Sequence, residues 1–231
     1  MHDAGPRPIR LFDSFGIIPR VVRFFLLEKG LDIPRHEVDL LLGENRDPDY
    51  VKLNPSGQTP ALELSDGTIL GEGPVICEYL EELFPDPPLI GANAQARAIT
   101  RMWWRRVEIN ICQPMILGFY YGEGLEQYRT RMRCIPEAAA GMKEKARDGL
   151  RWLEGLLKGE WVAGSLFTIA DIHLYSFVEE MSEKGQSIPE ECSAVKSWIE
   201  RVASRPSAEM SLWRWRSAPE MPAMERPAVS S

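Results

Sequence analysis

The side chains able to serve as nucleophile, base or metal ligand are few and scattered. Four cysteines stand at Cys77, Cys112, Cys134 and Cys192, with no pair close enough for a CxxC redox centre or a zinc ribbon. The three histidines, His2, His36 and His173, form no HxxH or HExxH spacing, which argues against a zinc hydrolase. No GxSxG elbow and no GxxxxGK[ST] loop occurs, so serine-hydrolase and P-loop chemistry lack support. What remains is a set of short polar strings. One is the segment Phe12-Asp13-Ser14-Phe15-Gly16-Ile17-Ile18-Pro19-Arg20, in which Ser14 is the only hydroxyl. The others are Asn54-Pro55-Ser56-Gly57-Gln58-Thr59-Pro60 and Glu72-Gly73-Pro74.

The surrounding pattern shows what positions these strings. Ile9–Phe12 predicts a short strand, and Pro19 to Lys29 a helix stopped by Gly30. A second strand is expected around Arg35–Leu40. Asp47-Pro48 reads as a helix start, Asp as cap and Pro in the first turn. Ala61–Leu64 and Thr68–Leu70 alternate around Asp66-Gly67, a hairpin signal, and Pro74 opens a helix to about Phe84. The order β-α-β-α-β-β-α suits a thioredoxin-like layer better than a dinucleotide fold.

Beyond residue 88 the texture becomes helical. Ile99, Trp103, Val107 and Ile111 recur every four residues and predict a buried stripe, with Pro114 kinking the helix further on. Ala138–Leu157, the helix opened by Thr168-Ile169-Ala170-Asp171, Ala194–Ala203 and Ala208–Arg216 complete the set. Thr168 with Asp171 three positions on is a capping-box variant. Charge changes at the same boundary. Residues 1–88 carry 8 Lys/Arg against 16 Asp/Glu, and residues 89–231 carry 19 against 18. Pro85-Asp86-Pro87-Pro88 reads as the joint. The expected division is 1–84, a linker at 85–91, a helical part at 92–216 and a flexible tail at 217–231.

The whole chain is 231 residues with net charge -7, 44% hydrophobic and 26% charged, which suits a folded core and disfavours a nucleic-acid partner. The longest stretch free of charge, Ile109 to Gly122, is too short to span a bilayer. No signal peptide is visible, and a cytoplasmic protein without a membrane partner is expected.

Asn54-Pro55-Ser56-Gly57-Gln58-Thr59-Pro60-Ala61-Leu62, then Asp66-Gly67, then Glu72-Gly73-Pro74-Val75-Ile76-Cys77-Glu78-Tyr79-Leu80, and finally Gly164-x-x-x-Thr168-x-x-Asp171, resemble the cytosolic glutathione S-transferases. The resemblance runs from about Leu11 to Arg216. It implies an α/β thioredoxin-like domain followed by an all-α domain, with glutathione as co-substrate and no metal. It implies a cis Pro60 that leaves the Thr59 amide and carbonyl facing outward, to pair with the cysteinyl backbone as an added strand. Glu72 would hold the γ-glutamyl ammonium, and the helix start after Gly73 its carboxylate. Gln58, Asn45 and Arg46 fall where family members bind the glycine carboxylate.

Two departures matter. The serine that usually follows the glutamate is Gly73, which removes one hydroxyl donor and about 1 kcal/mol. The Tyr, Ser or Cys that stabilises the glutathione thiolate has no clear counterpart. Phe12 falls at the tyrosine slot and Gly16 or Ile17 at the serine slot. Ser14 is the candidate, with the backbone amides of Gly16 to Ile18, or Arg20, as alternatives.

The resemblance places the electrophile pocket between the first loop and the kinked helix. Phe15, Ile17, Trp104, Glu108, Met115, Phe119, Tyr120 and Tyr121 are candidates, with Trp213 or Trp215. Arg101 and Arg105 would face ligand, partner subunit or solvent. The implied activity is attack of an activated glutathione thiol on a small hydrophobic electrophile, by conjugation, ether cleavage, dehalogenation or isomerisation. The implied role is detoxification, in a homodimer. A non-catalytic binding or assembly module and a glutathione-dependent disulfide reductase are the rivals. Short strings such as Ser-Phe-Gly also resemble bacterial β-etherases of this family.

Overall fold

A computed structural model of the chain describes residues 5–213. Its first half is a four-stranded mixed sheet with helices on both faces. The elements are β1 (Pro8–Asp13), α1 (Ile17–Lys29), β2 (Arg35–Glu37), α2 (Pro48–Leu53), β3 (Ala61–Leu64), β4 (Ile69–Leu70) and α3 (Gly73–Leu83). The strand order is β2-β1-β3-β4, with β1 parallel to β2 and antiparallel to β3, and β3 antiparallel to β4. The order of elements along the chain and the antiparallel β3–β4 pair are as expected, although β2 is only three residues long.

Strand alternation divides the apolar residues between the two faces. Leu11, Leu62 and Leu64 join α1 and α3 in the main core, while Phe12 and Ala61 point the other way onto Val38 and Tyr50. Gly30 ends α1 in the left-handed conformation at φ 64°, and the amides of Gly30 and Leu31 return to Leu27 and Leu26. Asp47 stands at the α2 cap position, but its side chain makes no capping bond. The Thr59–Pro60 peptide is cis, as the resemblance implies, and Asp86–Pro87 is cis as well.

The second half is helical: α4 (Ala94–Val107), α5 (Gln113–Tyr121), α6 (Leu125–Tyr128), α7 (Ala139–Leu156), α8 (Ile169–Glu183), α9 (Ser193–Ala203) and α10 (Pro206–Met210). A π-helical turn at Glu108–Cys112 joins α4 to α5 just before Pro114, so the irregularity expected of that proline falls in the preceding turn. The buried stripe of α4 is Thr100, Trp104 and Val107, continued by Ile111 in the π-helical turn, rather than one through Ile99 and Trp103. A strict four-residue repeat drifts around a helix of 3.6 residues per turn, and Ile99 is 39% exposed. Helix α8 runs through the middle of the bundle. Its capping box forms as expected, and Asp171 accepts hydrogen bonds from Val162 N, Thr168 N and Trp198 Nε1 at 2.8–2.9 Å. Burial nevertheless pushes its carboxyl up to about 6.

The proline-rich joint is tied on both sides. A buried Lys29–Glu81 ion pair of 2.5 Å lies beneath it. Lys29 Nζ also donates to the carbonyls of Phe84 and Pro87, and Glu81 accepts from the Ile90 amide at 2.8 Å. Across the two halves α1 packs on α8, with Phe24 against Tyr175 and Phe167. Arg20 bonds Glu179, Arg23 Nε donates to Ser211 O at 2.9 Å, and Arg205 forms a two-pronged pair with Glu28. These contacts hold the first loop against the helical half.

Candidate functional site

Phe12 pairs with Ala61, so continuing that antiparallel register brings Ser14 beside Thr59. Their hydroxyl oxygens lie 2.5 Å apart. Ser14 also donates to Phe15 O at 3.0 Å, so its one hydrogen serves either that carbonyl or Thr59. When Ser14 donates to Thr59, the Thr59 hydrogen is released toward the cavity. The loop is held from behind, where Arg23 Nη1 donates to Asp13 Oδ1 at 2.7 Å and to Ser14 O at 2.8 Å. Burial pushes the Asp13 carboxyl up, against the pull of Arg23, and pushes the Arg23 guanidinium down. Ser14 itself is fully buried and does not line the cavity, whereas Thr59 does.

Gly16, at φ 123°, turns the chain into α1, and the helix ladder opens with the Arg20 amide on Gly16 O at 3.1 Å. The first-turn amides of Ile17 and Ile18 therefore face the cavity end of α1, next to Pro19, which has none. Arg20 points away, into its buried bonds with Glu179 and Ser211.

The register of β3 and β4 pairs Leu62 with Leu70, and its continuation sets Glu72 opposite Pro60. Glu72 is exposed at the N-cap of α3 with φ 61° and ψ 112°, the single non-glycine residue with positive φ among the described residues. Such a conformation costs about 1–3 kcal/mol and collects at functional sites. Pro74 lacks an amide and the Ile76 amide bonds Glu72 O, so Gly73 and Val75 offer the first donors of α3. Gly73 is buried, and a Cβ there would lie 2.5 Å from Ile18 Cγ2. That methyl occupies the place where a serine side chain would begin. Asn45 is buried and donates from Nδ2 to Gly57 O at 2.7 Å, holding the turn. Arg46 is exposed, with its guanidinium over Gly57. Gln58 is exposed, and its carbonyl takes bonds from Tyr50 and Asn54.

Between the halves lies a cavity of about 340 Å³. Phe15 to Pro19, Leu40, Asn45, Arg46, Gln58 and Thr59 form its near wall. The far wall comes from α5 (Ile116, Phe119, Tyr120), from Gln127, Tyr128, Arg131 and Met132, and from α8 and its end (Phe177, Glu180, Met181, Lys184). Of the sequence candidates, Phe15, Ile17, Phe119 and Tyr120 line it. Trp104 does not, being 4% exposed and packed edge-on against His173, and Met115 is on the buried side of α5. Glu108 pairs with Arg105 on the outside at 2.8 Å, and Arg101 pairs with Glu78. Tyr121 lies beyond the lining of α5. Trp213 stacks under Arg23, and Trp215 lies outside the described residues.

Sequence reading missed Tyr128, Arg131 and the α8 face. The i, i+3 and i+4 spacing of Phe177, Glu180, Met181 and Lys184 is visible in the sequence, but so are other faces of α8. Burial pushes the phenols of Tyr120 and Tyr128 up. Cys77, Cys112 and Cys192 are buried with thiols raised by desolvation, and no cysteine lines this cavity.

Residues 18–83 match the family model for the glutathione S-transferase N-terminal domain, and residues 133–209 match that for the C-terminal domain. The chain belongs to the glutathione S-transferase family. It is 30% identical over 208 residues to glutathione S-transferase GstA of Escherichia coli O157:H7, covering 88% of this chain and 97% of that one. The solved structure of Gtt2 from Saccharomyces cerevisiae superposes with a TM-score of 0.81 at 29% identity, covering 88% of this chain and all of that one. LigF of Sphingobium sp., a β-etherase, is 27% identical over 217 residues, covering 79% of this chain and 84% of that one.

Proposed function

We propose that the protein binds glutathione along its thioredoxin-like edge, lowers the pKa of the thiol and directs the thiolate at a small hydrophobic electrophile. The observation that carries this is the two-walled cavity. A near wall of hydroxyl, guanidinium and helix-terminal amides suits a peptide thiol, and an aromatic far wall suits an apolar acceptor. Glu72 takes the γ-glutamyl ammonium, the Gly73 and Val75 amides its carboxylate, and Arg46, Gln58 and Asn45 the glycine end. Thr59 donates to the sulfur, with Ser14 as the positioning residue that donates to Thr59, and the start of α1 adds its positive end. A bond to the charged form lowers a thiol pKa, and holding both reactants in one cavity supplies proximity.

Conjugation, dehalogenation, ether cleavage and isomerisation all begin with this thiolate. A cytoplasmic homodimer acting in detoxification is part of the proposal, as is the division into 1–84, 85–91 and a helical part from 92; the expected tail at 217–231 lies outside the described residues. Among the described residues no helix is long and apolar enough to cross a membrane. The buried position of Ser14 and the filled serine slot at Gly73 favour, as second reading, a glutathione-binding module without chemistry. A disulfide reductase would need glutathione as both thiols.

The test is an ultraviolet titration of glutathione bound to the protein. A thiolate midpoint clearly below the free value of about 8.5 is expected. An unshifted midpoint selects the binding module, and no binding at all removes glutathione from the function.

A further inference from the structure

The charges on the cavity oppose those of the chain. The protein carries a net charge of -7, yet the charged side chains on the cavity are Arg46, Arg131, Lys184 and Glu180. Lys184 and Glu180 pair with each other at 2.9 Å, one turn apart on α8. Arg131 is exposed and forms no ion pair among the described residues. Arg46 sits on the near wall with the residues assigned to glutathione, which leaves Arg131 and Lys184 on the far wall.

They flank an aromatic platform. The rings of Tyr120 and Tyr128 lie 4.1 Å apart, Phe119 stands 6.1 Å from each, and the Lys184 ammonium is 5.5 Å above Phe119. The Tyr128 phenol lies within the electrostatic reach of both Arg131 and Lys184. A free guanidinium, an ammonium shared with Glu180 and a phenol at the edge of an apolar surface leave a net positive charge there, a recognition set for a planar group ending in an acid. An unpaired guanidinium is suited to a carboxylate by its fork of donors. A purely apolar acceptor would leave it without use.

We infer that the second substrate is an aromatic or otherwise planar unsaturated electrophile bearing a carboxylate or similar acid group, held by Arg131 and Lys184 with Tyr128 beside it. This rests on the transferase reading for the word electrophile, but the anion preference can be measured without turnover.

The probes are 4-chloro-3-nitrobenzoate and its uncharged partner 4-chloro-3-nitrobenzamide. Their binding to the full chain is followed by calorimetry, alone and with saturating S-methylglutathione, which fills the thiol site without reacting. The benzoate is expected to bind about tenfold more tightly than the amide. The advantage is expected to fall below threefold in the Arg131→Gln/Lys184→Gln double variant, and to persist in Arg46→Gln. A ratio below threefold in the unaltered protein overturns the inference, as does a preference undiminished in the double variant or lost in Arg46→Gln. Failure of S-methylglutathione to bind, with the benzoate preference intact, defeats the transferase reading and supports the acid site.

Discussion

Replacing Gly73 by serine restores the hydroxyl that the family pattern carries after the glutamate, yet the structure predicts that it damages the protein. A Cβ at this position would meet Ile18 Cγ2 at 2.5 Å and Val22 Cγ2 at 3.5 Å. Carbon atoms rest near 3.5–4.0 Å, so the first contact overlaps by about 1 Å. Ile18 is β-branched and sits in the first turn of α1, where its side-chain torsion is stiff, so the methyl does not rotate aside. Overpacking of this size costs about 1–3 kcal/mol. With a urea dependence of about 3 kcal/mol per molar, the midpoint falls by roughly 0.3–1 M. Ile18→Ala alone costs about 1–2 kcal/mol, since Ile18 is only half-buried. The double variant Ile18→Ala/Gly73→Ser is expected to be more stable than the two single effects sum to, by about 1–2 kcal/mol. It is also expected to bind glutathione about fivefold more tightly than Ile18→Ala, the worth of one added hydrogen bond. Urea unfolding and glutathione calorimetry on all four proteins complete the cycle. A Gly73→Ser protein with an unshifted midpoint and improved affinity would refute the steric account.

Glu72→Gly removes the cost of a positive φ and is expected to raise the urea midpoint while abolishing measurable glutathione binding; retained affinity takes Glu72 out of the ligand site. Thr59→Val is expected to raise the thiol midpoint of bound glutathione by about one unit with a smaller loss of affinity, and Ser14→Ala to do so more weakly. Equal midpoints in all three proteins would point to the α1 amides. Asp171 has a folded pKa of about 6 against 3.8 unfolded, so the folded state holds the extra proton between these values. Its contribution is present in full below about pH 4 and is lost as pH rises through 6, on the order of 3 kcal/mol. Thermal unfolding of the native protein against Asp171→Asn, from pH 4 to 7, reads this as a falling difference; a rising one contradicts the sign. Lys29→Met strands the buried Glu81 carboxylate and is expected to cost about 3–5 kcal/mol, with Lys29→Met/Glu81→Leu recovering much of it in the same urea assay.

The elements of this protein are written locally. Gly30, Asp66-Gly67 and the Thr168–Asp171 pair sit where backbone conformation or capping allows few residue types, and each marks its turn or helix end in the sequence. The edge proposed for glutathione is legible for the same reason: its residues follow one another in two short strings, and strand pairing sets Ser14 beside Thr59 and Glu72 opposite Pro60. The far wall is different. Tyr128 and Arg131 come from one segment of the chain and Lys184 from another some fifty residues on, and their types are ordinary for surface positions. Trp104, aromatic on the right helix, turns inward onto His173 because α4 is buried along Thr100, Trp104 and Val107. Which face of a helix meets a cavity depends on how the helix is rotated against neighbours distant in sequence. Local patterns determined the strands, the Gly30 and Thr168–Asp171 helix ends and most of the near wall. Only the packing of α8 against α1 and of α5 against α8 decided the far wall, and with it the acid-bearing substrate inferred above.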